Sequence, residues 1–263
     1  NWFLTGPLVL FRHFGSSENS LGQLALAIQA FVVIGSVPLA AGMASLPVLS
    51  RSIARQDGKD ILYTETVIRA GLFFGAVAGL AGLGAGQWLV TLVFGTRYLE
   101  AGYLLGLVMW LLIPFTCGTT IGRVYLARGE YFLPFACSGI GALLMTLTMP
   151  WFVAAMNASG VVLAMGTGMA VWALSLIWLL ARTGDLNVRQ AILRPLAIIL
   201  LALGVFLALK SVKAWLALPA SCIALLLATL QFGGVTEDER YLLKSLRTRW
   251  YWPTGTDSQQ SGS

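Results

Sequence analysis

Residues 19–50 contain no Asp, Glu, Lys or Arg, and neither do residues 70–96, 101–122 or 131–181. These charge-free runs hold 32, 27, 22 and 51 residues. A hydrocarbon layer about 30 Å thick is crossed by roughly 20 apolar residues at about 1.5 Å rise each. The first three runs each suffice for one crossing and the fourth for two. The chain therefore reads as an all-α polytopic membrane protein that acts in or across a bilayer. Composition agrees: it is 57% hydrophobic and 11% charged, where soluble domains are about 25% charged. A soluble fold would have to bury more than half of the chain under almost no solvating surface. A β-barrel would show alternating stretches of about ten residues, not long continuous apolar runs.

Hydropathy places complete spans near 22–47, 70–94, 101–122, 131–154, 159–181, 195–209 and 214–232, with a partial one over 1–11. The chain opens Asn1-Trp2-Phe3-Leu4, without an initiator Met, as if a helix were entered part-way along. If successive spans alternate direction, one side carries 51–69, 123–130, 182–194 and the tail from 233. That side holds Arg51, Arg55, Lys59, Arg69, Arg123, Arg128, Arg182, Arg189, Arg194, Arg240, Lys244, Arg247 and Arg249, thirteen of the 17 basic residues. The other side holds Arg12, Arg97, Lys210 and Lys213. The positive-inside rule then puts the C-terminus in the cytoplasm and the turns at 12–20, 95–100, 155–158 and 210–213 outside. It also accounts for the net charge of +6 without invoking nucleic acid.

Small residues recur every fourth position at Gly71, Gly75 and Gly79, at Ala78, Gly82 and Gly86, and at Gly160, Ala164 and Gly168. Such stripes let helix backbones approach closely in lipid, where hydrophobic burial gives helices no reason to associate. Pro38, Pro114, Pro134, Pro150 and Pro219 each start a helix or remove one of its hydrogen bonds. Cys117, Cys137 and Cys222 fall in apolar spans and read as small buried hydrophobes. With His13 the only histidine, no metal or cofactor pattern is present. Thr236-Glu237-Asp238-Glu239 is a capping box, followed by Leu242, Leu243, Leu246 and Trp250 at helical spacing among basic residues. Residues 236–250 read as an amphipathic helix on the membrane surface, within a cytoplasmic segment 234–252. Residues 253–263 read as disordered.

Little suggests an enzyme. There is no intramembrane carboxylate pair and no phosphate-binding glycine loop, and the sequon Asn157-Ala158-Ser159 sits in a turn too tight for glycosylation. A charge at mid-bilayer costs about 2.5–3.5 kcal/mol on insertion scales and normally marks function. The charges nearest the spans are Arg12, Arg69, Glu100 and Arg123, and Gln29 and Gln87 are the deepest polar groups. Arg69 and Arg123 either anchor the topology or line the mouth of a polar cavity. Gln29 either bonds a neighbouring helix or lines that cavity.

Three stretches resemble the polysaccharide and lipid-linked oligosaccharide flippases of the multidrug/oligosaccharidyl-lipid/polysaccharide exporter superfamily. The first is Leu21-Gly22-Gln23-Leu24-Ala25-Leu26-Ala27, leading to Leu46-Pro47-Val48-Leu49-Ser50-Arg51 and Gln56-Asp57-Gly58-Lys59. The second is Val93-Phe94-Gly95-Thr96-Arg97-Tyr98-Leu99-Glu100-Ala101-Gly102. The third is Tyr125-Leu126-Ala127-Arg128-Gly129-Glu130 with Ala158-Ser159-Gly160-Val161-Val162-Leu163-Ala164. The resemblance covers about 20–250. It implies a six-helix transporter lobe over 1–182, its first helix clipped, matching helices seven to twelve of a fourteen-helix fold. Two accessory helices over 183–233 would follow, and the first lobe is not in the chain. It further implies a bacterial inner-membrane flippase that moves a lipid-pyrophosphate-linked glycan between leaflets by alternating access. Membrane lipids would surround it, and polysaccharide polymerase or assembly proteins are candidate partners. Arg12, Gln29, Arg69 and Arg123 are the candidate substrate-path residues, although no family motif fixes them. The alternatives are a cation-coupled multidrug exporter, which wants a membrane-embedded carboxylate, and a non-transporting scaffold of a polysaccharide assembly complex.

Overall fold

The computed structural model of the protein describes residues 2–14, 18–55, 59–183, 188–210 and 214–231. Among these residues every regular element is helical. The elements are α1 (Trp2–Phe14), α2 (Glu18–Arg55), α3 (Lys59–Phe94), α4 (Leu99–Met109), α5 (Leu112–Ala127), α6 (Phe132–Arg182), α7 (Arg194–Lys210) and α8 (Ala214–Gln231). A 3-10 turn, Thr96–Tyr98, precedes α4, and a π-helical turn, Arg189–Leu193, precedes α7. Four helical stretches are long and apolar enough to cross a bilayer: α2, the 61–94 part of α3, α6, and 190–209. The bent pair α4–α5 makes a fifth when taken as one. The amphipathic helix expected at 236–250 and the tail beyond it lie outside the described residues.

The 101–122 span is broken in the middle, by 41° between α4 and α5. Pro114 is the cause. It has no N–H to give to the Trp110 carbonyl and its ring crowds that carbonyl. Ile113 N–H bonds Trp110 O instead (3.2 Å), and Trp110 and Leu111 reach back only three residues, to Leu107 and Val108. The two halves nevertheless run along α3 in one antiparallel register. Gly71 faces Thr116, Gly75 faces Ile113, Gly79 faces Trp110, Gly82 faces Gly106 and Gly86 faces Gly102, so that each pair of numbers adds to 187–189. A Cβ at Gly75 would stand 2.9 Å from the Ile113 backbone nitrogen, and one at Gly86 2.9 Å from the Gly102 carbonyl oxygen. Both small-residue stripes of α3 are thus spent on packing against α4–α5.

α6 is a hairpin. Gly141 and Gly168 would lie about 40 Å apart on a straight helix, yet a Cβ on either would meet the other's carbonyl oxygen at 2.5–2.6 Å. The chain reverses at Asn157, at φ 50° and ψ −128°, a region that Asn tolerates better than most side chains. The turn expected at 155–158 is therefore present. The second arm runs parallel to α5, with Leu111 over Gly166 and Trp172 over Gly118. α1 lies on α6: Phe3 stacks on Trp172 at 5.5 Å and the Trp2 indole donates to Thr146 Oγ1 at 3.1 Å. α7 and α8 pack on each other and on α3, where Leu218 covers Gly84.

Two of the resembling motifs prove to be helix ends. Gly129 has φ +82°, Glu130 N–H bonds Tyr125 O at 2.9 Å and Gly129 N–H bonds Leu126 O at 3.1 Å. That is a Schellman cap, which favours glycine because a Cβ disfavours positive φ. Gly95 ends α3 similarly, at φ +85° with its N–H on Thr91 O.

One expectation needs correction. The charge pattern makes loops of 51–69 and 123–130, but α2 continues to Arg55, α3 begins at Lys59 and α5 continues to Ala127. Charge marks the edge of the hydrocarbon layer. A helix needs no apolar surroundings to go on, and here α2, α3 and α5 continue through the charged residues. Arg69 and Arg123 consequently sit inside helices.

Gly75→Leu should lower thermal stability by about 1–3 kcal/mol, the usual range for overpacking. Gly139→Leu, at an exposed glycine where a Cβ would meet nothing within 4 Å, should leave it unchanged. Unfolding of the purified variants in detergent checks the contrast.

Candidate functional site

α2 runs parallel to α4–α5 along its whole contact. The Ala101 N–H donates to Gln23 Oε1 at 2.8 Å, Phe31 meets Phe115 edge-on at 5.4 Å, and the Arg123 Nη2 donates to the Leu39 carbonyl at 3.0 Å. Near the last contact the ends of α2 and α5 and the start of α3 enclose a small cleft. Its lining includes Ser45, Tyr63, Thr64, Thr120 and Arg123, with Gly42, Leu46, Leu49, Val67 and Val124 supplying the apolar wall. About 20 Å³ of it is open to the centre of a water molecule, room for one or two waters but not for a phosphate group.

The guanidinium dominates the cleft. Arg123 is only 9% exposed, and its Nη1 is buried without a hydrogen-bond partner among the described residues. A charged donor left unpaired costs at least about 1–3 kcal/mol, so an acceptor that reaches this atom is favoured. Gly42 makes the arrangement sterically feasible, because a Cβ there would coincide with Nη1. Ser45 Oγ is bonded to the Gly42 carbonyl at 2.8 Å, which uses its proton within α2. The same end of the bundle carries Arg51, Arg55, Arg128 and Arg182, the last lying 4.0 Å over the ring of the exposed Trp178.

The other sequence candidates lie elsewhere. Arg69 is buried on α3 beside Glu65, with Nη2 4.0 Å from the carboxylate and Nε 3.4 Å from the Glu65 carbonyl. It does not line the cleft. The pair shares a helix face with Leu72, Ala76 and Leu80, about 100° around α3 from the face that meets α5. Arg12 is exposed at the end of α1, and Gln29 is exposed on α2. Gln87 is exposed as well, its backbone packed on Gly102.

Three contributors escaped sequence reasoning. Glu65 falls in a stretch that the charge pattern makes a loop. Gln23 is 4% exposed and satisfies one of the free N–H groups at the start of α4. Gly42 follows Gly35 by seven residues, two helical turns, and both face α5; that spacing was the one readable signal.

Comparison with known protein families and with curated proteins finds no match to this chain.

Gln23→Ala should destabilise the fold by about 1 kcal/mol through the lost bond to α4, whereas Gln29→Ala should be neutral. Thermal unfolding of the two variants side by side decides between them.

Proposed function

We propose that this chain forms a lobe of a membrane transporter that moves a phosphate-bearing, lipid-linked oligosaccharide from one leaflet to the other by alternating access. The observation that carries the reading is the buried guanidinium of Arg123, one nitrogen unpaired, in a cleft at the basic end of an apolar helical bundle. A cation held between helices in lipid is stable only with a partner, and a lipid phosphate supplies one through charge-assisted hydrogen bonds. The hydroxyls of Tyr63, Thr64 and Thr120 line the same cleft and suit phosphate or sugar oxygens.

In this reading α1 to α6 correspond to six transmembrane segments, the first shortened, with α4–α5 as one broken span and α6 as two. α7 and α8 are accessory spans. The basic end faces the cytoplasm of a bacterial cell, which orients the cleft toward the leaflet where lipid-linked glycans are assembled. Support comes from the register of α4–α5 on α3, the Asn157 reversal and the gathering of arginines at one end. The resemblance in the three motifs points the same way. Polymerase or other assembly proteins would receive the product.

The cation-coupled exporter draws on one observation, the buried carboxylate of Glu65. Glu65 already faces Arg69 on its own helix, which favours a structural pair over a coupling site.

In the full-length protein, Arg123→Gln should lower glycan export at least about tenfold at unchanged membrane abundance, matching about 1.4 kcal/mol of lost transition-state or ligand binding. Arg69→Gln should chiefly lower abundance by leaving Glu65 buried without its ion partner. Normal export by Arg123→Gln would refute the proposal, and loss of drug resistance in Glu65→Gln with glycan intact would favour the exporter.

A further inference from the structure

The Arg123 guanidinium does two things at once. Its Nη2 is tied to the Leu39 carbonyl of α2, while Nη1 lies in the notch that Gly42 leaves in the same helix. One side chain of α5 therefore grips α2 through backbone alone, across 84 residues of sequence. Near this point α2 has a proline at 38 and another at 47, each of which deletes an internal hydrogen bond and eases bending. The cleft that α2, α3 and α5 enclose has room for one or two waters and no more, so a phosphate can enter only if its walls move apart, and Arg123 ties two of those walls, α2 and α5, together.

We infer that Arg123, Leu39 and Gly42 form a latch that holds the cleft shut, and that an incoming phosphate or pyrophosphate opens it by taking the guanidinium from the Leu39 carbonyl. The exchange is favourable in sign. A neutral carbonyl on Nη2 and nothing on Nη1 are replaced by an anion that can bond both nitrogens, and charge-assisted bidentate bonds are roughly twice as strong as neutral ones. The ligand thus binds the open form in preference to the closed one, which is the condition for shifting such an equilibrium. Gly42 acts as a positioning residue: any larger residue there expels the guanidinium and mimics the ligand. This inference rests on the transport reading above for the identity of the anion, but the latch itself does not.

Spin labels at Ala54→Cys on α2 and Leu126→Cys on α5, both exposed, report the separation by pulsed EPR in phosphatidylcholine nanodiscs. The three native cysteines are replaced by alanine. The unmodified latch should give one short distance. Gly42→Ala and Arg123→Gln should each lengthen it without ligand, by about 5 Å, the scale of one element shifting a turn past another. Arg123→Gln adds no volume, so it holds if Gly42→Ala fails to fold. Inorganic pyrophosphate, or a polyprenyl pyrophosphate in the nanodisc, should lengthen the distance in the unmodified latch and leave Arg123→Gln where it is. Opening by the lipid alone identifies a membrane-borne headgroup, and opening by both shows that the headgroup suffices. Calorimetric binding of either form without a change in distance overturns ligand release. A short distance in a folded Arg123→Gln variant overturns the latch. Binding of neither form refutes the transport reading instead, and the two variants then decide the latch alone.

Discussion

Helices in lipid gain nothing by hiding apolar side chains from one another, so their association depends on how closely their backbones can approach. In this chain that approach is set by α3. Its glycines at 71, 75, 79, 82 and 86 receive α5 and α4 in a single antiparallel register. The register survives the 41° break at Trp110–Leu111, so the proline bends the span without detaching either half. Where α5 ends, and hence where Arg123 sits, follows from that contact. The parallel contact with α2 then determines what the guanidinium meets: at one end Gln23 holds the start of α4, and at the other Leu39 and Gly42 receive Arg123.

The cleft is the one described place where this economy of packing leaves a charged atom unsatisfied. A purely structural arginine would either reach solvent, as exposed Arg51 does, or lie beside a carboxylate, as Arg69 does. Arg123 does neither, and its neighbours are hydroxyls and apolar side chains. Retaining an unpaired donor in such surroundings costs stability. That cost is accounted for if the atom has work to do on a ligand.

Much of the fold was legible because lipid imposes simple demands. Charge-free length marked the apolar segments, the glycine stripes of α3 and Gly168 announced close packing, and the turn at Asn157 fell where it was expected. Pro114 was visible as a helix breaker, but whether it would end a span or bend one depended on contacts with α3 that no local pattern encodes. The helix ends were misplaced because a loss of charge-free sequence does not end a helix: α3 extends eleven residues past its charge-free run, from Arg69 back to Lys59. The site was half legible. Arg123 stood out by its position, but so did Arg69, and only the burial of Glu65 four residues earlier separates them. Gly42 carries no signal by itself, since its role is to be empty where another helix's side chain arrives. Gln29 drew notice for its depth in a span, whereas the glutamine that makes a buried bond, Gln23, lies near the span's end.

The transport reading of Arg123 requires that its cleft open to one side of the membrane and take a phosphate. Thr120 is buried in the cleft wall. A single cysteine can be placed there by Thr120→Cys in the otherwise cysteine-free protein, and a membrane-impermeant maleimide applied to either face of oriented vesicles. Labelling should be slow from the face that bears the basic helix ends and absent from the other, and pyrophosphate should change its rate only while Arg123 is present. Equal labelling from both faces, or labelling that pyrophosphate leaves untouched, would contradict a one-sided phosphate cleft.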